Sequence, residues 1–513
     1  MKALQKLKAR IEGRRRQRRY DAWVRAHHLT DENEREMRSR IDSFSKRPTI
    51  SIVLPVFNTD DRWLRECIES VKGQIYPHWQ LCIADDRSTR DFIKPLLQEL
   101  ARDDDRIIVE FRDANGHISA ASNTALALAS GEFVALLDHD DELSPDALFW
   151  IVNELNDHPH AKLIYSDEDV IGESGRRRSP KFKPDLSPDL LRSVNYINHL
   201  TVYRRDVIEA AGGFRVGFEG SQDFDLLLRV IEKLQEDEVR HIPRVLFHWR
   251  AAKGSVAENS DAKSYAHENA RRAIREHLER TGTNASVGAT DFDLHRVRYS
   301  TSVSARPSDF SVDLKQDVTS LNQSILNSKD AIVCFVDGDL EPLNSDWFDD
   351  LLGFATQNDI GIVGGRVIDR DGRVIDGPMI VGTSQIVSVA FDGRSYRSPD
   401  ALFRNCVIGN YSAVSLSCMA MRTDLFREVD GFDEKLRDSR LLSADICLRV
   451  SELGYRIVFN PFAAFRQPRT NRRIAPSKGE SDHFRAKWGK YFDNDPFYNP
   501  NLSYDDGTST IKL

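Results

Sequence analysis

Between residues 49 and 138, short apolar runs alternate with longer stretches whose apolar residues recur every three or four positions. A short apolar run bounded by turn residues predicts a buried strand, and the three-to-four spacing predicts an amphipathic helix. The predicted strands cover 49–57, 79–85, 106–112 and 132–138, and the predicted helices cover 61–73, 92–101 and 118–130. Because strands and helices alternate with short connections, the pattern predicts an α/β fold built on a doubly wound, mostly parallel sheet.

Polar side chains follow three of these strands, at the point where each strand ends. They lie within 55–58, 85–86 and 138–141. In doubly wound sheets, ligands bind beyond the carboxyl ends of the strands. The three segments therefore predict one binding site at that edge of the sheet.

The second half of the chain repeats the first. Two strings from the first half, TVYRRDVIEAAGGF (201–214) and FVALLDHDDE (133–142), return as MAMRTDLFREVDGF (419–432) and IVCFVDGDLE (332–341). Asn123 precedes Asp138 by fifteen residues, and Asn322 precedes Asp337 by the same interval. A period of roughly 200 residues is the size of a domain, so we infer a duplicated domain rather than a solenoid. A helix predicted at 263–282 joins the two copies.

Composition is typical of a soluble globular protein. Of the 513 residues, 40% are hydrophobic and 30% are charged, and the formal net charge is −8. No apolar run approaches the ~18 residues of a membrane span, and the first residues are too basic for a secretory signal. The six cysteines are scattered without a CxxC pair, which disfavours a disulfide framework and a thiolate zinc site. A cytoplasmic location is therefore expected.

Charge is concentrated at the start of the chain. Residues 1–19 hold nine basic side chains and one acidic side chain, a net charge of +8. Such a segment attracts anionic surfaces, and the alternative is a solvated terminus without a partner. Nucleic acid is the least favoured partner, because the rest of the chain is acidic and no zinc finger or RNP motif occurs.

The densest acidic cluster is Asp138-His139-Asp140-Asp141, directly after a predicted strand. Neighbouring carboxylates repel one another unless they are solvated or neutralised. Oxygen ligands suit Mg²⁺ or Mn²⁺, which bind through one or two carboxylates plus substrate phosphates, so the cluster indicates a phosphate-bearing substrate. The alternatives are a solvated turn and a phosphoaspartate phosphatase. An EF-hand is excluded, because Leu143 stands where that loop requires glycine.

The motifs of residues 48–255 resemble the family 2 glycosyltransferases, which are inverting enzymes of GT-A fold, a Rossmann-like fold, that use nucleotide sugars. Within that family, they resemble the O-antigen and polysaccharide transferases of bacteria. The matching strings are SIVLPVFNT, CIADDRST, NGHISAASNTALALASGEFVALLDHDDELSPDAL, IYSDEDV, FKPDLSPDLL, GFEGSQDFDLLLRV and HIPRVLFHWR. The later half resembles the second transferase-like unit of such proteins.

The resemblance implies roles for individual residues. Pro55, Phe57 and Asn58 would lie along the donor nucleoside, and Asp86 would bond its base or ribose, unless it only caps the following helix. Asn123 would touch the donor or be an ordinary polar helix position.

On the metal side, the resemblance implies that Asp138 and Asp140 form the Asp-x-Asp pair. Asp140 would bind the metal, and Asp138 would bind the metal or the ribose. His248 resembles the late histidine of the family, which approaches the metal or the diphosphate, and its alternative is a packing role.

Asp223 is the expected catalytic base. An inverting displacement needs the acceptor hydroxyl to lose its proton as it attacks, and one carboxylate suffices for this. The start of a helix would lower the pKa of Asp223, whereas apolar Phe224 would raise it, so the net direction stays open at this level. The alternative is that Asp223 only caps the helix, and Asp225 is expected to support the fold.

The second half lacks several of these groups. Ser443 stands at the position of Asp223, Arg466 at that of His248, and Leu340 at that of Asp141. We therefore expect a truncated, non-catalytic GT-A-like domain. The expected division of the chain is a basic segment (1–47), a catalytic domain (48–255), a linker helix (256–283), a degenerate domain (284–475) and a tail (476–513).

Together, these observations predict a metal-dependent hexosyl- or deoxyhexosyltransferase. It would use a UDP- or dTDP-sugar and Mg²⁺ or Mn²⁺, and its acceptor would be a lipopolysaccharide, an O-antigen or another lipid-linked or cell-surface polysaccharide. The basic segment would then contact the inner face of the membrane. The competing interpretations are a non-catalytic scaffold of a polysaccharide-assembly complex and a phosphatase. The phosphatase is disfavoured, because Glu142 stands where Thr or Val is expected.

Overall fold

A computed structural model describes residues 2–251, 260–301, 311–312, 317–468, 475–492, 494–505 and 507–513. The chain divides into two compact units, each with its own sheet. Unit 1 comprises Met1–Leu186, Ile197–Gly282 and Leu513, and unit 2 comprises Ser187–Tyr196 and Thr283–Lys512. The expected second sheet domain is therefore present. Residues 256–259, at the start of the expected linker helix, lie outside the described residues. Residues 469–474, next to the expected boundary at 475, also lie outside them.

Up to residue 282 the chain contains ten helices and nine strands within the described ranges. The helices are α1 (Lys2–Ala26), α2 (Asp31–Ser43), α3 (Asp61–Lys72), α4 (Ile93–Asp103), α5 (His117–Ala127), α6 (Ala147–Asp157), α7 (Pro188–Leu191), α8 (Arg205–Ala210), α9 (Gln222–Ile231) and α10 (Ser260–Arg280). The strands are β1 (Ile50–Val56), β2 (Trp79–Asp85), β3 (Ile107–Phe111), β4 (Phe133–Leu136), β5 (Glu142–Leu143), β6 (Leu163–Ile171), β7 (Arg177–Lys181), β8 (Thr201–Arg204) and β9 (Val239–Arg250).

Unit 1 is organised around a nine-stranded sheet of order β3-β2-β1-β4-β8-β6-β9-β5, with β7 beside β6. Strands β3, β2, β1 and β4 run parallel, and Ile50 faces both Trp79 and Phe133 in the register. Strand β8 is antiparallel to β4 and β6, whereas β6 and β9 are parallel. The predicted α/β fold with a mostly parallel sheet is confirmed, and the carboxyl ends of β1, β2 and β4 lie at one edge.

Helix α3 shows why the apolar spacing produced a helix. Its carboxylate N-cap, Asp60, accepts from the backbone N–H of Arg62, and Leu64, Ile68 and Val71 bury one face. Those positions follow the i, i+4, i+7 spacing of a single stripe. Burying each such side chain contributes about 1.5–3 kcal/mol, which is more than helix propensity supplies. This stripe belongs to the same buried hydrophobic cluster as residues of β1 and β2, so α3 packs against the sheet.

The N-terminal helices belong to unit 1. The expected basic segment (1–47) contains both α1 and α2. Tyr20 and Trp23 of α1 are buried, and the Gln17 side chain donates to the backbone oxygen of Arg177 on β7. No helix among the described residues has the length and apolar character needed to cross a bilayer.

After residue 282, the described ranges add five helices and thirteen strands. The helices are α11 (Val318–Leu326), α12 (Trp347–Ala355), α13 (Thr423–Glu428), α14 (Ser439–Glu452) and α15 (Lys478–Trp488). The strands are β10 (Ala285–Ala289), β11 (His295–Tyr299), β12 (Ser311–Val312), β13 (Ile332–Val336), β14 (Glu341–Pro342), β15 (Ile360–Ile368), β16 (Val374–Asp376), β17 (Pro378–Thr383), β18 (Ile386–Val389), β19 (Gly409–Asn410), β20 (Ala413–Val414), β21 (Cys418–Arg422) and β22 (Arg456–Arg466).

The large sheet of unit 2 reproduces seven of the nine strands of the unit 1 sheet. Its order is β12-β13-β21-β15-β22-β14, which matches β1-β4-β8-β6-β9-β5, with β16 beside β15 as β7 is beside β6. β19 also pairs with β22, and β18-β17-β20 and β10-β11 form smaller sheets. In the described part of unit 2, β12 pairs only with β13, so this sheet has no counterparts of β2 and β3.

Candidate active site

Three side chains that could hold a metal ion converge at the carboxyl edge of the unit 1 sheet. Asp138, Asp141 and His199 each offer one ligand atom, and these atoms lie within 4.8 Å of one another. Asp138 and Asp141 follow β4, and His199 precedes β8, which pairs with β4. The acidic loop therefore lies at the sheet edge that the strand ends predicted. His199 also belongs to this cluster, although the sequence pattern did not reveal it.

Asp141 is the buried member of this cluster, with 1% of its surface exposed. Its Oδ1 accepts from the backbone N–H of Arg250 at 2.7 Å, whereas its Oδ2 is buried without a hydrogen-bond partner. Burial, together with the charge of Asp140, raises the pKa of Asp141 well above its usual range. An ionised carboxylate with an unpartnered buried oxygen is costly, and a bound cation removes that cost.

Arg250 shapes the loop that carries these carboxylates. Its side chain is 1% exposed, its Nε donates to the backbone oxygen of Asp140 at 2.8 Å, and its guanidinium pairs with Glu142. The guanidinium also lies 4.0 Å from the ring centroid of Trp63. The contacts of Arg250 with the backbone oxygen of Asp140 and with Glu142 therefore hold the acidic loop in place.

His199 lies between two carboxylates. Its Nε2 is 3.7 Å from Asp138 Oδ2, its Nδ1 is 3.6 Å from Glu168 Oε2, and its ring stacks on Phe247 with 4.6 Å between centroids. Burial lowers the pKa of His199, but the neighbouring carboxylates of Asp138 and Glu168 outweigh burial and raise the pKa to about 10. The acidic cluster thus favours positive charge at this position, which a proton on His199 supplies and which a bound metal ion would supply in its place.

Three consecutive acidic residues of β6 are buried rather than part of a solvated turn. Asp167, Glu168 and Asp169 are each at most 2% exposed. Burial raises the pKa of Glu168, but the charges of Lys181 and Lys183, with ammonium nitrogens at 2.6 and 3.1 Å, hold it well below its usual range. Glu168 is therefore an ionised group that faces His199.

Asp223 lies in the first turn of α9, after the N-cap Ser221. Burial and the charge of Asp138 raise its pKa, while His199 and nearby backbone N–H groups lower it, and the net shift is upward. The sequence left the direction of this pKa shift open. In the structure the shift is upward, which makes Asp223 a stronger base. Asp225 forms ion pairs with Arg215 and with Arg229 at 2.8 Å, which is a structural role.

His248 and Asp140 lie in the same region but outside the three-residue cluster. His248 is 7% exposed, and its Nδ1 lies 2.6 Å from Asp169 Oδ1. Asp169 also accepts from the hydroxyl of Tyr20 and from Arg177 Nε at 2.6 Å, so α1 contributes to the setting of His248. Asp140 is 3.5 Å from Nδ1 of His139.

The residues expected along the donor lie at the end of β1 and in the loops that follow β1 and β2. Pro55 faces Ala84 in the sheet, and Phe57 is 45% exposed. Asn58 Oδ1 accepts from the backbone N–H of Thr89 at 2.8 Å. This contact ties the two loops together, so they form one continuous surface.

Asp86 is 2% exposed. It accepts from the backbone N–H of Gly116 at 2.9 Å and pairs with Arg112 Nε at 3.0 Å. Its carboxylate therefore fixes the start of α5 against the end of β2.

Asn123 holds a turn. Its Nδ2 donates to the backbone oxygen of Phe214 at 2.7 Å, and its Oδ1 accepts from the Phe214 N–H at 2.8 Å. In unit 2, Asn322 makes the same two bonds to Phe432, at 2.9 and 2.8 Å. The fifteen-residue spacing found in both halves therefore corresponds to a structural clamp that each unit retains.

Comparison with known proteins gives the family. Residues 51–212 match the model described as "Glycosyl transferase family 2". Residues 51–212 are therefore a family 2 glycosyltransferase domain, and the resemblance drawn from their motifs is confirmed.

Two curated relatives match most of this chain. "Uncharacterized protein y4gI" of Sinorhizobium fredii is 36% identical, with 89% of this chain and 58% of the relative covered. "O-antigen biosynthesis protein RfbC" of Myxococcus xanthus is 29% identical, with 90% and 40% covered. The chain thus spans 58% and 40% of the length of these relatives.

Among solved structures, TarS of S. aureus in complex with UDP-GlcNAc is similar, with a TM-score of 0.38 and 18% identity over 45% of this chain and 66% of that chain. A TM-score this low supports no conclusion about the fold or function of this chain.

Proposed function

We propose that unit 1 is a metal-dependent, inverting glycosyltransferase that moves a sugar from a nucleoside-diphosphate donor to a growing polysaccharide. The observation that carries this proposal is the unpartnered buried oxygen of Asp141 beside Asp138 and His199, within a family 2 domain. The carboxylates of Asp138 and Asp141 suit Mn²⁺ or Mg²⁺. Such an ion, when bound, neutralises the charge of the diphosphate. Asp140 and His248 are proposed as further groups of this metal and diphosphate region.

Asp223 is proposed to remove the proton of the acceptor hydroxyl. The hydroxyl oxygen bonds to the anomeric carbon as the bond from that carbon to the diphosphate breaks, and the proton passes to a carboxylate oxygen of Asp223. Attack from the face opposite the leaving group inverts the configuration. The upward pKa shift favours this role, because a base is more effective as its pKa approaches the operating pH.

The donor nucleoside is proposed to lie along Pro55, Phe57 and Asn58. The exposed ring of Phe57 offers a surface on which a base stacks, and the Asn58 contact with Thr89 holds the two loops together. Asp86 shapes this surface through Gly116, and Asn123 supports it through Phe214. The proposed donor is a UDP- or dTDP-hexose or deoxyhexose. The proposed acceptor is an O-antigen or another lipid-linked polysaccharide. O-antigen biosynthesis is the process named for the Myxococcus relative.

Calorimetric titration of the full chain with UDP, dTDP, GDP and CMP, with and without Mn²⁺, tests the function. We expect one nucleoside diphosphate to bind and its affinity to fall when EDTA removes the metal. The monophosphate of the nucleoside that binds lacks only the second phosphate, so it serves as the matched control and should bind more weakly. If the folded protein bound no nucleotide, the non-catalytic scaffold would become the better interpretation.

The N-terminal segment is proposed to contact an anionic membrane surface at the cytoplasmic face, where lipid-linked acceptors would be reached. Arg14, Arg15, Arg16 and Arg18 are exposed on α1, while Tyr20 anchors the helix in unit 1. Replacing the four arginines with glutamine should release the protein from phosphatidylglycerol vesicles in a flotation assay. Replacing them with lysine preserves the charge and should preserve binding. Equal flotation of the glutamine variant and wild type would refute this contact.

A further inference from the structure

The register of the two sheets shows which residues of unit 2 occupy the positions of the unit 1 site. In unit 1, Glu142 faces His248 across β5 and β9, and in unit 2, Glu341 faces Arg466 across β14 and β22. The same register equates three buried acidic residues of β6 with residues of β15: Asp167 with Arg366, Glu168 with Val367 and Asp169 with Ile368. These three positions are thus acidic on β6 of unit 1, and none of their counterparts on β15 of unit 2 is acidic.

A cavity of about 490 Å³ opens at this edge of unit 2. It begins where β15 and β22 end, and its walls include Ile368, Arg370, Asp371, Tyr396, Arg397 and Arg466. This volume falls within the range of small-molecule sites in proteins. The cavity thus occupies, in unit 2, the region where Asp169 and His248 meet in unit 1.

Arginines dominate the charge of this cavity. Arg370, Arg397 and Arg466 are all exposed side chains of its wall, against one lining carboxylate, Asp371. Within the described residues, none of the three forms an ion pair, and Arg397 Nε donates to the Tyr396 hydroxyl at 2.8 Å. Three guanidinium groups around one concave surface repel one another, and an anion between them would reverse that effect.

A fourth arginine lies behind the wall. Arg366 is 8% exposed, and its guanidinium lies 4.8 Å from the ring centroid of Tyr396. Its Nη1 donates to the backbone oxygen of Asn405 at 3.1 Å, whereas its Nε is buried without a partner. Burial lowers the pKa of Arg366 to about 10, and no carboxylate among the described residues pairs with it. A buried cation without a counter-ion is costly, and a nearby anion compensates for that cost.

We propose that this cavity binds the oxyanion of an acidic sugar, a carboxylate or a phosphate, without a metal ion. Arg466 and Arg397 would bind the oxyanion through hydrogen bonds, since a guanidinium presents paired N–H donors that match two oxygens of a carboxylate or phosphate. The acidic edge of unit 1 requires a cation before it can hold an anionic ligand, whereas the arginine-lined cavity of unit 2 does not. This site is separate from the proposed transfer reaction and holds whether or not unit 1 transfers a sugar.

The test is calorimetric titration of the full chain in EDTA with glucuronate, glucose 1-phosphate and neutral glucose. We expect the anionic sugars to bind and glucose not to bind, with affinity that falls as salt is raised. Binding of both anionic sugars indicates a general oxyanion site, and binding of one identifies the ligand as a uronic acid or a sugar phosphate. Absence of binding by both would overturn the proposal, as would equal binding of glucose.

Variants assign the binding to this cavity. Arg466→Gln should weaken binding about ten- to a hundredfold, the usual loss for a charge-assisted hydrogen bond. Arg437→Gln makes the same change at an exposed arginine of unit 2 that does not line the cavity, and it should bind as wild type does. Because Arg466 is exposed, its variant should keep the wild-type melting temperature. Unchanged binding by Arg466→Gln, or loss of binding in Asp138→Asn, would place the anion elsewhere and refute the proposal.

Discussion

Replacing Asp223 with asparagine is expected to lower kcat for sugar transfer by about 10²–10⁴-fold, the usual contribution of a general base. Asparagine has the same shape but cannot take up the proton of the acceptor hydroxyl. Because Asp223 is not among the three clustered side chains that could hold a metal, the affinity for the nucleoside diphosphate should stay within about twofold. The measurement is steady-state kinetics together with nucleotide titration of the same preparation.

Asp206→Asn is the matched control, since Asp206 lies in the first turn of α8 and pairs with Arg204 at the surface of unit 1. It should leave kcat unchanged. If Asp223→Asn kept wild-type kcat, Asp223 would not be the base. If it lost nucleotide binding and melted early, Asp223 would have a structural role at the start of α9.

The second large effect is expected from Asp141→Asn, which should weaken metal-dependent nucleotide binding by at least tenfold, since even groups outside the ligand set change metal affinity by 10–100-fold. The asparagine oxygen can still accept from the Arg250 N–H, so the loop keeps its anchor. The change removes the charge of the unpartnered buried oxygen. Nucleotide titration with and without Mn²⁺ measures this loss.

The same variant should melt at a higher temperature than wild type in EDTA. Folding raises the pKa of Asp141, so the ionised group destabilises the folded state at every pH above its unfolded pKa. At neutral pH, asparagine removes that penalty, and the difference should vanish in acid, where the aspartate is protonated in both states. A lower melting temperature in EDTA would show that the Asp141 charge is compensated within the protein and would argue against a metal at this position.

Asp337→Asn is the control for the acidic edge, because Asp337 follows β13 as Asp138 follows β4. It should leave transfer unchanged, since unit 2 carries Ser443, Arg466 and Leu340 where unit 1 carries Asp223, His248 and Asp141. Loss of transfer in the folded Asp337→Asn variant would give unit 2 a part in the chemistry.

Local elements were predictable because their causes are local. Strand β2 occupies 79–85 as the apolar run indicated, and α3 ends one residue before the predicted limit. The acidic loop followed the same logic, since the carboxyl ends of parallel strands meet at one edge. Asp138 and Asp141 are separated by only two residues, so their proximity needed no tertiary information.

His199 was not predictable in this way. It is 61 residues from Asp138 in the chain, and it reaches the cluster only because β8 pairs with β4. The sequence signal around it, a single histidine before a strand, is common in buried packing positions. The burial of the three acidic residues of β6 could not be predicted either, because only the sheet order places that strand between β8 and β9.

Asn123 shows what the duplication could have revealed. Its counterpart Asn322 persists in unit 2 together with Phe432, although that unit has lost the counterparts of Asp223 and His248. A residue that remains where the chemistry is lost is better explained by the fold, and the paired bonds to Phe214 and Phe432 support this explanation.

By itself, the sequence determined the alternation of strands and helices, the duplicated domain, the acidic edge and the family, because each depends on residue type and short-range spacing. Only the tertiary structure decided that His199 joins Asp138 and Asp141, that residues 187–196 belong to unit 2, and that arginines surround a cavity at the edge of that unit. These features depend on pairings between strands far apart in the chain. Such pairings arise from burial and hydrogen bonding of the whole sheet, which no local pattern encodes.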